Sequence, residues 1–124
     1  METENEPAAS LLRATEVDAR RHPRYKLAVN ITVYSRTCGV LRGRTVDISE
    51  SGISAILKIE APIGELVELE FTLPLGPVMT YAAVRQKNAF RYGFQFLELG
   101  DVEIIRSTCR QLFVEQTLTA PDKQ

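Results

Sequence analysis

Short segments in which every second residue is apolar recur between residues 26 and 96 of this 124-residue chain, and they restrict its fold more than any other feature. The clearest are 26–34 and 67–73. Alternation with period two places one set of side chains on each face of a β-strand, so each such segment predicts a half-buried strand. Turns containing Gly, Pro, Ser or Asn separate the segments. We therefore predict strands over 26–34, 40–49, 53–59, 67–73, 78–87 and 90–96.

The spacing of apolar residues changes to a helical one after Gly100. We predict a helix there, with Asp101 as its N-cap. Its apolar face is a stripe formed by Val102, Ile105, Cys109 and Leu112, with Phe113 beside them. Six short strands followed by one helix favour an antiparallel barrel or sandwich. A barrel is attractive because closure removes exposed strand edges. The helix would cover an open end or a docking face.

This chain has few of the residues that common catalytic and metal sites need. The chain has one histidine, His22, and two cysteines, Cys38 and Cys109. Nucleophilic catalysis needs a base near the nucleophile, and a zinc site needs several close ligands. Neither set is convincing here, and phosphate-binding loops such as GxxxxGK[ST] or GxGxxG do not occur. We expect no enzyme, no metal and no cofactor, with both cysteines as buried or half-buried thiols.

Length and terminal composition predict one domain with two tails. Residues 1–18 are expected to form a flexible N-terminal tail, 19–118 a globular domain and 119–124 a C-terminal tail. No apolar run approaches the roughly 18 residues of a membrane span. Residues 1–10 lack the basic-then-apolar order of a signal peptide. The expectation is a cytoplasmic protein without a membrane span.

Charge is unevenly distributed although the net charge is only −1. Seven basic residues and no acidic ones lie in 20–44, whereas six acidic residues and one lysine lie in 45–75. A neutral total with a local basic block favours a site for a small anion, since nucleic-acid binders are more often basic overall. A solvated charged surface is the alternative.

The first candidate motif is Arg20-Arg21-His22-Pro23-Arg24. Pro23 disfavours a helical conformation at His22, so the segment is expected to be extended or turned, with its arginines able to surround a ligand. Guanidinium groups bind phosphate oxygens through two parallel hydrogen bonds, match guanine O6 and N7 in the same way, and stack on flat bases. One arm could therefore hold phosphates and bases of a small dinucleotide. A basic linker without a ligand is the alternative.

The second candidate motif is Asp47-Ile48-Ser49-Glu50-Ser51-Gly52. On a strand Asp47 and Ser49 would face outward while Ile48 faces the core. An ionised Asp47 accepts N–H donors such as those on the edge of guanine, and Ser49 can donate or accept. Gly52 permits positive φ and close backbone approach. The alternative is an ordinary turn in which Asp47 and Ser49 bond their own backbone. In an antiparallel barrel the two motifs can be neighbours.

Two other kinds of function fit the residues less well. Glu68 and Glu70 would lie about 7 Å apart on one strand face, a separation that could suit acid–base chemistry, but a solvated strand face accounts for them too. A barrel that binds single-stranded nucleic acid needs aromatic side chains on a basic surface. The aromatic residues at 90, 92, 94 and 96 alternate as a core stripe does, so no nucleic-acid partner is expected.

Together the two motifs resemble the RxxxR and [D/N]xSxxG motifs of the PilZ family, bacterial receptors for cyclic di-GMP. The resemblance covers about residues 19–117 and continues in 91–96, which is similar to the family's closing barrel strand. It implies a mainly β fold, a six-stranded antiparallel barrel of PilZ type with a C-terminal α-helix. In some relatives a bulky aromatic residue stands on the fifth strand, where this chain has 82–85, and Arg85 could contact the ligand instead.

The resemblance also implies roles for individual residues. Arg20 and Arg24 would grip phosphates and guanine bases with Arg21 assisting, Asp47 and Ser49 would hold a guanine edge, and Gly52 would shape the turn. Ligand binding would order residues 10–25 and change the interaction with an unknown protein partner. The alternative is a PilZ-like interaction module that binds a protein and no nucleotide.

Overall fold

A computed structural model describes residues 22–100 and 102–118 of the chain. In chain order the described strands are β1 Tyr25–Lys26, β2 Asn30–Ser35, β3 Gly39–Ile48, β4 Gly52–Leu57, β5 Leu66–Leu73, β6 Gly76–Asn88 and β7 Arg91–Gly100. They are followed by helix α1, Val102–Phe113, and a short π-helical segment, Val114–Leu118. The predicted tails at 1–18 and 119–124 lie outside the described residues.

Six of the strands close into an antiparallel barrel. Hydrogen bonding joins them in the order β3, β2, β5, β6, β7 and β4, and β4 pairs back with β3. The two-residue strand β1 is added beside the end of β3, where Lys26 pairs with Asp47. The predicted six-stranded barrel with a C-terminal helix is confirmed. Because the sheet is closed, the fold is a barrel and not a sandwich.

Alternating apolar side chains fill the barrel interior. On β5 Val67, Leu69, Phe71 and Leu73 are buried while Glu70 is exposed, as the period-two pattern predicts. Burial of each such side chain contributes about 1.5–3 kcal/mol relative to exposure. The core therefore holds the strands in register, and the outward-facing positions remain for polar groups.

The first predicted strand, 26–34, is divided in two. Between β1 and β2 the chain leaves the ladder over Leu27–Val29, although Leu27 and Val29 still pack against the core. The Thr45 hydroxyl accepts a hydrogen bond from the Val29 N–H at 2.9 Å and donates one to the Leu27 carbonyl. A side chain thus replaces part of the backbone ladder, which apolar alternation cannot reveal.

The predicted aromatic core stripe is wrong at Phe90, which lies in the turn between β6 and β7. Tyr92 and Phe94 are buried, but Phe90 lies in the turn and is 51% exposed. Ala89 there has a φ of 58°, a left-handed conformation that is uncommon without glycine. The reversal places Phe90 outside the strand, so only the later aromatic residues reach the core.

Helix α1 packs its predicted stripe against the barrel. Ile105 and Cys109 are buried, Leu112 is half-buried, and Phe113 remains exposed. Burial, followed by the negative charge of Glu50, raises the pKa of the Cys109 thiol to about 12. Cys109 is buried and Cys38 is half-buried, which confirms the expectation for the two thiols. None of the helices in 22–100 or 102–118 is long and apolar enough to cross a membrane.

Candidate anion-binding site

The carboxylate of Asp47 joins the two sequence motifs. Its Oδ1 accepts from Arg24 Nη1 at 2.8 Å and from the Ser54 hydroxyl at 2.6 Å, and its Oδ2 accepts from Arg91 Nη2 at 2.9 Å. The side chain of Asp47 is 15% exposed, whereas those of Arg24 and Arg91 are 51% and 52% exposed. One largely shielded carboxylate therefore holds two accessible guanidinium groups on the barrel surface.

A β-bulge directs Asp47 outward. The β3–β4 pairing shifts register between Thr45 and Asp47, so Val46 is an extra residue on β3. Thr45 and Ile48 are both buried, which strict alternation would not allow for residues three apart. Bulges commonly re-aim a side chain next to a functional site. Here the bulge lets Ile48 face the core, as predicted, while Asp47 reaches the arginines.

Strand β1 brings Arg24 to this carboxylate. Tyr25 pairs with Ile48 and is buried, which anchors the chain one residue after Arg24. The two partners of the ion pair are 23 positions apart in sequence. The predicted proximity of the two motifs is thus observed for Arg24 and Asp47. Arg20 and Arg21 lie outside the described residues.

Ser49 belongs to the turn rather than to the outer surface. Its hydroxyl is buried and accepts from the backbone N–H groups of Ser51 at 3.2 Å and Gly52 at 3.1 Å. The Ser49 N–H donates to the Gly52 carbonyl at 2.8 Å. Ser49 therefore adopts the self-bonded turn that the sequence left as an alternative, and Asp47 does not. A ligand contact by Ser49 stays a prediction.

Gly52 is required by close packing. A Cβ at this position would lie 2.3 Å from the carbonyl oxygen of Phe94 on β7. Of the two reasons that the sequence suggested for a glycine, close backbone approach applies. A positive φ is not the reason, because among the described glycines it is found at Gly39, Gly64 and Gly76 and not at Gly52. The glycine at this end of the turn is thus tied to the β4–β7 contact.

Two grooves meet at Arg24. The first, called the Arg91 groove, has a volume of about 660 Å³ and is lined by Arg24, Ser54, Gln86, Lys87, Arg91 and neighbouring residues. The second, called the His22 groove, has a volume of about 230 Å³ and is lined by His22, Arg24, Ser51, Arg85, Gln95 and neighbouring residues. Neither groove is lined by a carboxylate among the described residues. Basic side chains surround a space in the volume range of small-molecule sites, about 300–1,000 Å³.

Arg91 is the site residue that sequence reasoning missed. The chain segment 91–96 was noted only as a strand, and its first residue carried no motif signal. Pairing of β4 with β7 sets Arg91 opposite Ile56 and brings its side chain to Asp47. Arg85, which was considered as a ligand contact, donates from Nε to Gln95 at 2.6 Å and lines the His22 groove.

The end of the C-terminal helix is attached to the strand that carries Arg24. The side-chain amide of Gln116 accepts from the Lys26 N–H and donates to the Lys26 carbonyl, both at 2.9 Å. A second link joins Arg106 of α1 to Glu50 of the motif turn, at 3.9 Å. These contacts connect the C-terminal helical segment to β1 and to the motif turn.

The described residues offer no cluster of three or more His, Cys, Asp or Glu side chains that could hold a metal ion. What the arrangement does offer is a set of guanidinium and ammonium groups oriented by a carboxylate. Such groups bind phosphate and the hydrogen-bonding edge of guanine.

The fold and site define a class of small domain: a closed antiparallel barrel with a C-terminal helix and a basic groove at Arg24. The comparison with family models identifies it: the PilZ domain matches residues 18–113, so this chain belongs to the PilZ family. None of the curated proteins matches its sequence.

Solved structures share this fold at low sequence identity. The inhibitor of motility MotI/DgrA of Bacillus subtilis is 17% identical with a TM-score of 0.67, over 82% of this chain and 53% of that one. The PilZ domain of Escherichia coli YcgR with c-di-GMP is 19% identical with a TM-score of 0.61, over 85% and 98%. YcgR of E. coli in complex with c-di-GMP is 20% identical with a TM-score of 0.64, over 84% and 49%. The chain thus spans about half the length of MotI/DgrA and of that YcgR chain.

Proposed function

We propose that this chain is a receptor for cyclic di-GMP that acts through a protein partner and not by catalysis. The observation that carries the proposal is the ion pair between Arg24 and Asp47, which unites the RxxxR and DxSxxG motifs beside two basic grooves. The PilZ domain of YcgR, whose fold this chain shares, was solved with c-di-GMP. Both facts support cyclic di-GMP as the ligand.

The chemistry of the site suits a guanine-containing dinucleotide. A guanidinium has five N–H donors, and the hydrogen bond of Arg24 to Asp47 uses only one nitrogen, Nη1. A carboxylate has about four accepting positions, and three donors are described for Asp47. Arg24 can therefore donate to a phosphate or to guanine O6 and N7, while Asp47 accepts one N–H of guanine.

The arm before Arg24 completes the proposed site. Arg20 and Arg21 would add two guanidinium groups from the segment before the described residues, and residues 10–25 would order around the ligand. Ordering costs about 1–2 kcal/mol for each residue of backbone. Charge-assisted hydrogen bonds of about 1.5–3 kcal/mol each would offset this cost. Cyclic di-GMP should therefore slow tryptic cleavage after Arg13, and equal cleavage with and without ligand would refute the ordering.

Titration calorimetry of the full chain with cyclic di-GMP tests the proposal. We expect micromolar affinity for the wild type, at least a tenfold loss in Arg24→Ala and Asp47→Ala, from loss of about 1.4 kcal/mol or more, and little change in Arg42→Ala. Arg42 is an exposed arginine of β3 that lines neither groove, so it controls for net charge. Absence of binding by a folded wild type would exclude the receptor function.

The outer face of β2, β5 and β6 favours a second candidate, an interaction module that binds a protein and no nucleotide. Tyr34, Leu66, Met79 and Tyr81 are exposed on these neighbouring strands. Tyr34 and Tyr81 flank Glu68 in the pairing register. Such exposed apolar groups suit a protein contact. In this case Arg24→Ala would leave the partner's affinity intact, whereas Tyr81→Ala would lower it.

A further inference from the structure

We infer that Arg91 is a ligand-binding residue and that its guanidinium contacts a phosphate of the bound cyclic dinucleotide. The inference rests on the proposed function and extends it to a residue outside both motifs. It follows from the position of Arg91 on the groove, from the atoms it leaves unused and from the charge around it.

Asp47 holds Arg91 in the same way as it holds Arg24. The two arginines bond to different oxygens of one carboxylate, at 2.9 and 2.8 Å, and both are about half exposed. A carboxylate that fixes a guanidinium reduces the side-chain entropy lost when that group binds a ligand. Arg91 is thus oriented before the ligand arrives.

Arg91 keeps donors for another acceptor. Its described hydrogen bonds, to Asp47 at 2.9 Å and to the Ser54 hydroxyl at 3.5 Å, both leave from Nη2. The N–H groups on Nη1 and Nε are not used in these bonds. These N–H groups point in different directions in the guanidinium plane, so either of them can donate a charge-assisted hydrogen bond to a phosphate oxygen.

The charge of the Arg91 groove favours an anion. Arg24, Lys87 and Arg91 line it, and no aspartate or glutamate is among its described lining residues. Asp47 carries one negative charge against the two arginines that it holds, and Glu60 pairs with Lys87 at 3.0 Å from outside the lining. An excess of positive charge remains beside the Arg91 groove, where a phosphodiester would be stabilised.

The first experiment measures cyclic di-GMP affinity by calorimetry for the wild type, Arg91→Ala, Arg91→Lys and the charge control Arg42→Ala. We expect Arg91→Ala to weaken binding about tenfold or more, Arg91→Lys to weaken it less, and Arg42→Ala to change it less than about twofold. If Arg24→Ala loses binding while Arg91→Ala retains wild-type affinity, the inference is wrong and the proposed function stands. If the folded wild type does not bind, the proposed function itself fails.

The second experiment separates a phosphate contact from simple support of Asp47. Phosphorus NMR spectra of cyclic di-GMP are compared at saturation with wild type and with Arg91→Lys and Arg91→Ala. A different phosphorus shift for the ligand bound to Arg91→Ala is expected, because the guanidinium is removed from the phosphate. Unchanged phosphorus shifts, including the case where only the guanine imino protons move, would overturn the assignment to phosphate.

Discussion

The hydroxyl of Thr45 holds Val29 by accepting the hydrogen bond of its N–H at 2.9 Å. The same hydroxyl donates to the Leu27 carbonyl, and backbone bonds join Leu27 to Val46 at 3.1 Å and Thr45 to Val29 at 2.8 Å. One buried side chain therefore fastens the linker between β1 and β2 to β3. Since Arg24 directly precedes β1, this attachment also determines where Arg24 lies.

Substitution Thr45→Val tests this attachment. Valine keeps the branched shape but leaves the Val29 N–H unpaired in a half-buried position, which costs about 1–3 kcal/mol. Urea unfolding should show this loss, and cyclic di-GMP affinity should fall as β1 loosens. The control Thr72→Val changes an exposed threonine of β5 and should be nearly neutral. Equal stability of the two variants would contradict the interpretation.

Gly52→Ala should be strongly destabilising. The added Cβ would meet the Phe94 carbonyl oxygen at 2.3 Å, so β4 and β7 would have to separate. Overpacking of this kind costs about 1–3 kcal/mol or more. Gly93→Ala is the matched control, since its Cβ would meet the Gln86 Cβ at 3.3 Å, a much smaller overlap than at Gly52. Thermal unfolding of both variants checks the difference, and a Gly52→Ala midpoint equal to that of Gly93→Ala would refute it.

Glu65 gives the fold a specific acid sensitivity. Burial alone would raise the pKa of this carboxyl, but hydrogen bonds from the Thr37 N–H and the Ser35 hydroxyl outweigh it and hold the pKa below its ordinary value. A carboxyl with a lowered folded-state pKa contributes stability above its unfolded pKa and loses it as the pH falls through the folded pKa.

The variant Glu65→Gln should therefore be less stable than wild type near pH 7, by about 1 kcal/mol from the weakened hydrogen bonds. The difference should shrink as the pH falls below the ordinary range of a glutamate. Urea unfolding between pH 7 and pH 3 measures it, and Ser35→Ala provides a second variant of the same contact. A difference that does not depend on pH would count against this role of the carboxylate.

The two cysteines should differ in reactivity. Burial and the charge of Glu50 raise the pKa of Cys109 to about 12, so almost none of it is thiolate near pH 8. Cys38 is partly exposed, with its thiol donating to the Glu60 carbonyl at 3.0 Å. Iodoacetamide should modify Cys38 first in the native protein and Cys109 only after unfolding. Mass spectrometry locates the label, and early alkylation of Cys109 would contradict the buried position.

Much of the fold could be predicted from local pattern. The alternation over 67–73 corresponds to β5, Leu66–Leu73, and the helical spacing after Gly100 corresponds to α1. These signals are local because a strand or helix with one apolar face must bury that face. The break at Leu27–Val29 and the exposed position of Phe90 could not be found in this way, since a distant hydroxyl and a two-residue reversal decide them.

The site was predictable only in part. The motifs indicated Arg24 and Asp47, and the pairing of β1 with β3 brings these two together. Arg91 escaped because nothing in its neighbours along the chain distinguishes it from any exposed strand residue. The turn position of Ser49 was indicated only as an alternative, because β3 ends at Ile48 and the alternation no longer applies beyond it.

By itself, the sequence determined the kind and approximate position of most elements and the two motifs, because hydrophobic periodicity and turn residues act over a few positions. The tertiary structure alone decided that Val46 forms a bulge and that Arg24 and Arg91 share the carboxylate of Asp47. These features depend on the pairing of β3 with β1 and β4, and of β4 with β7, and therefore on contacts between segments far apart in the chain.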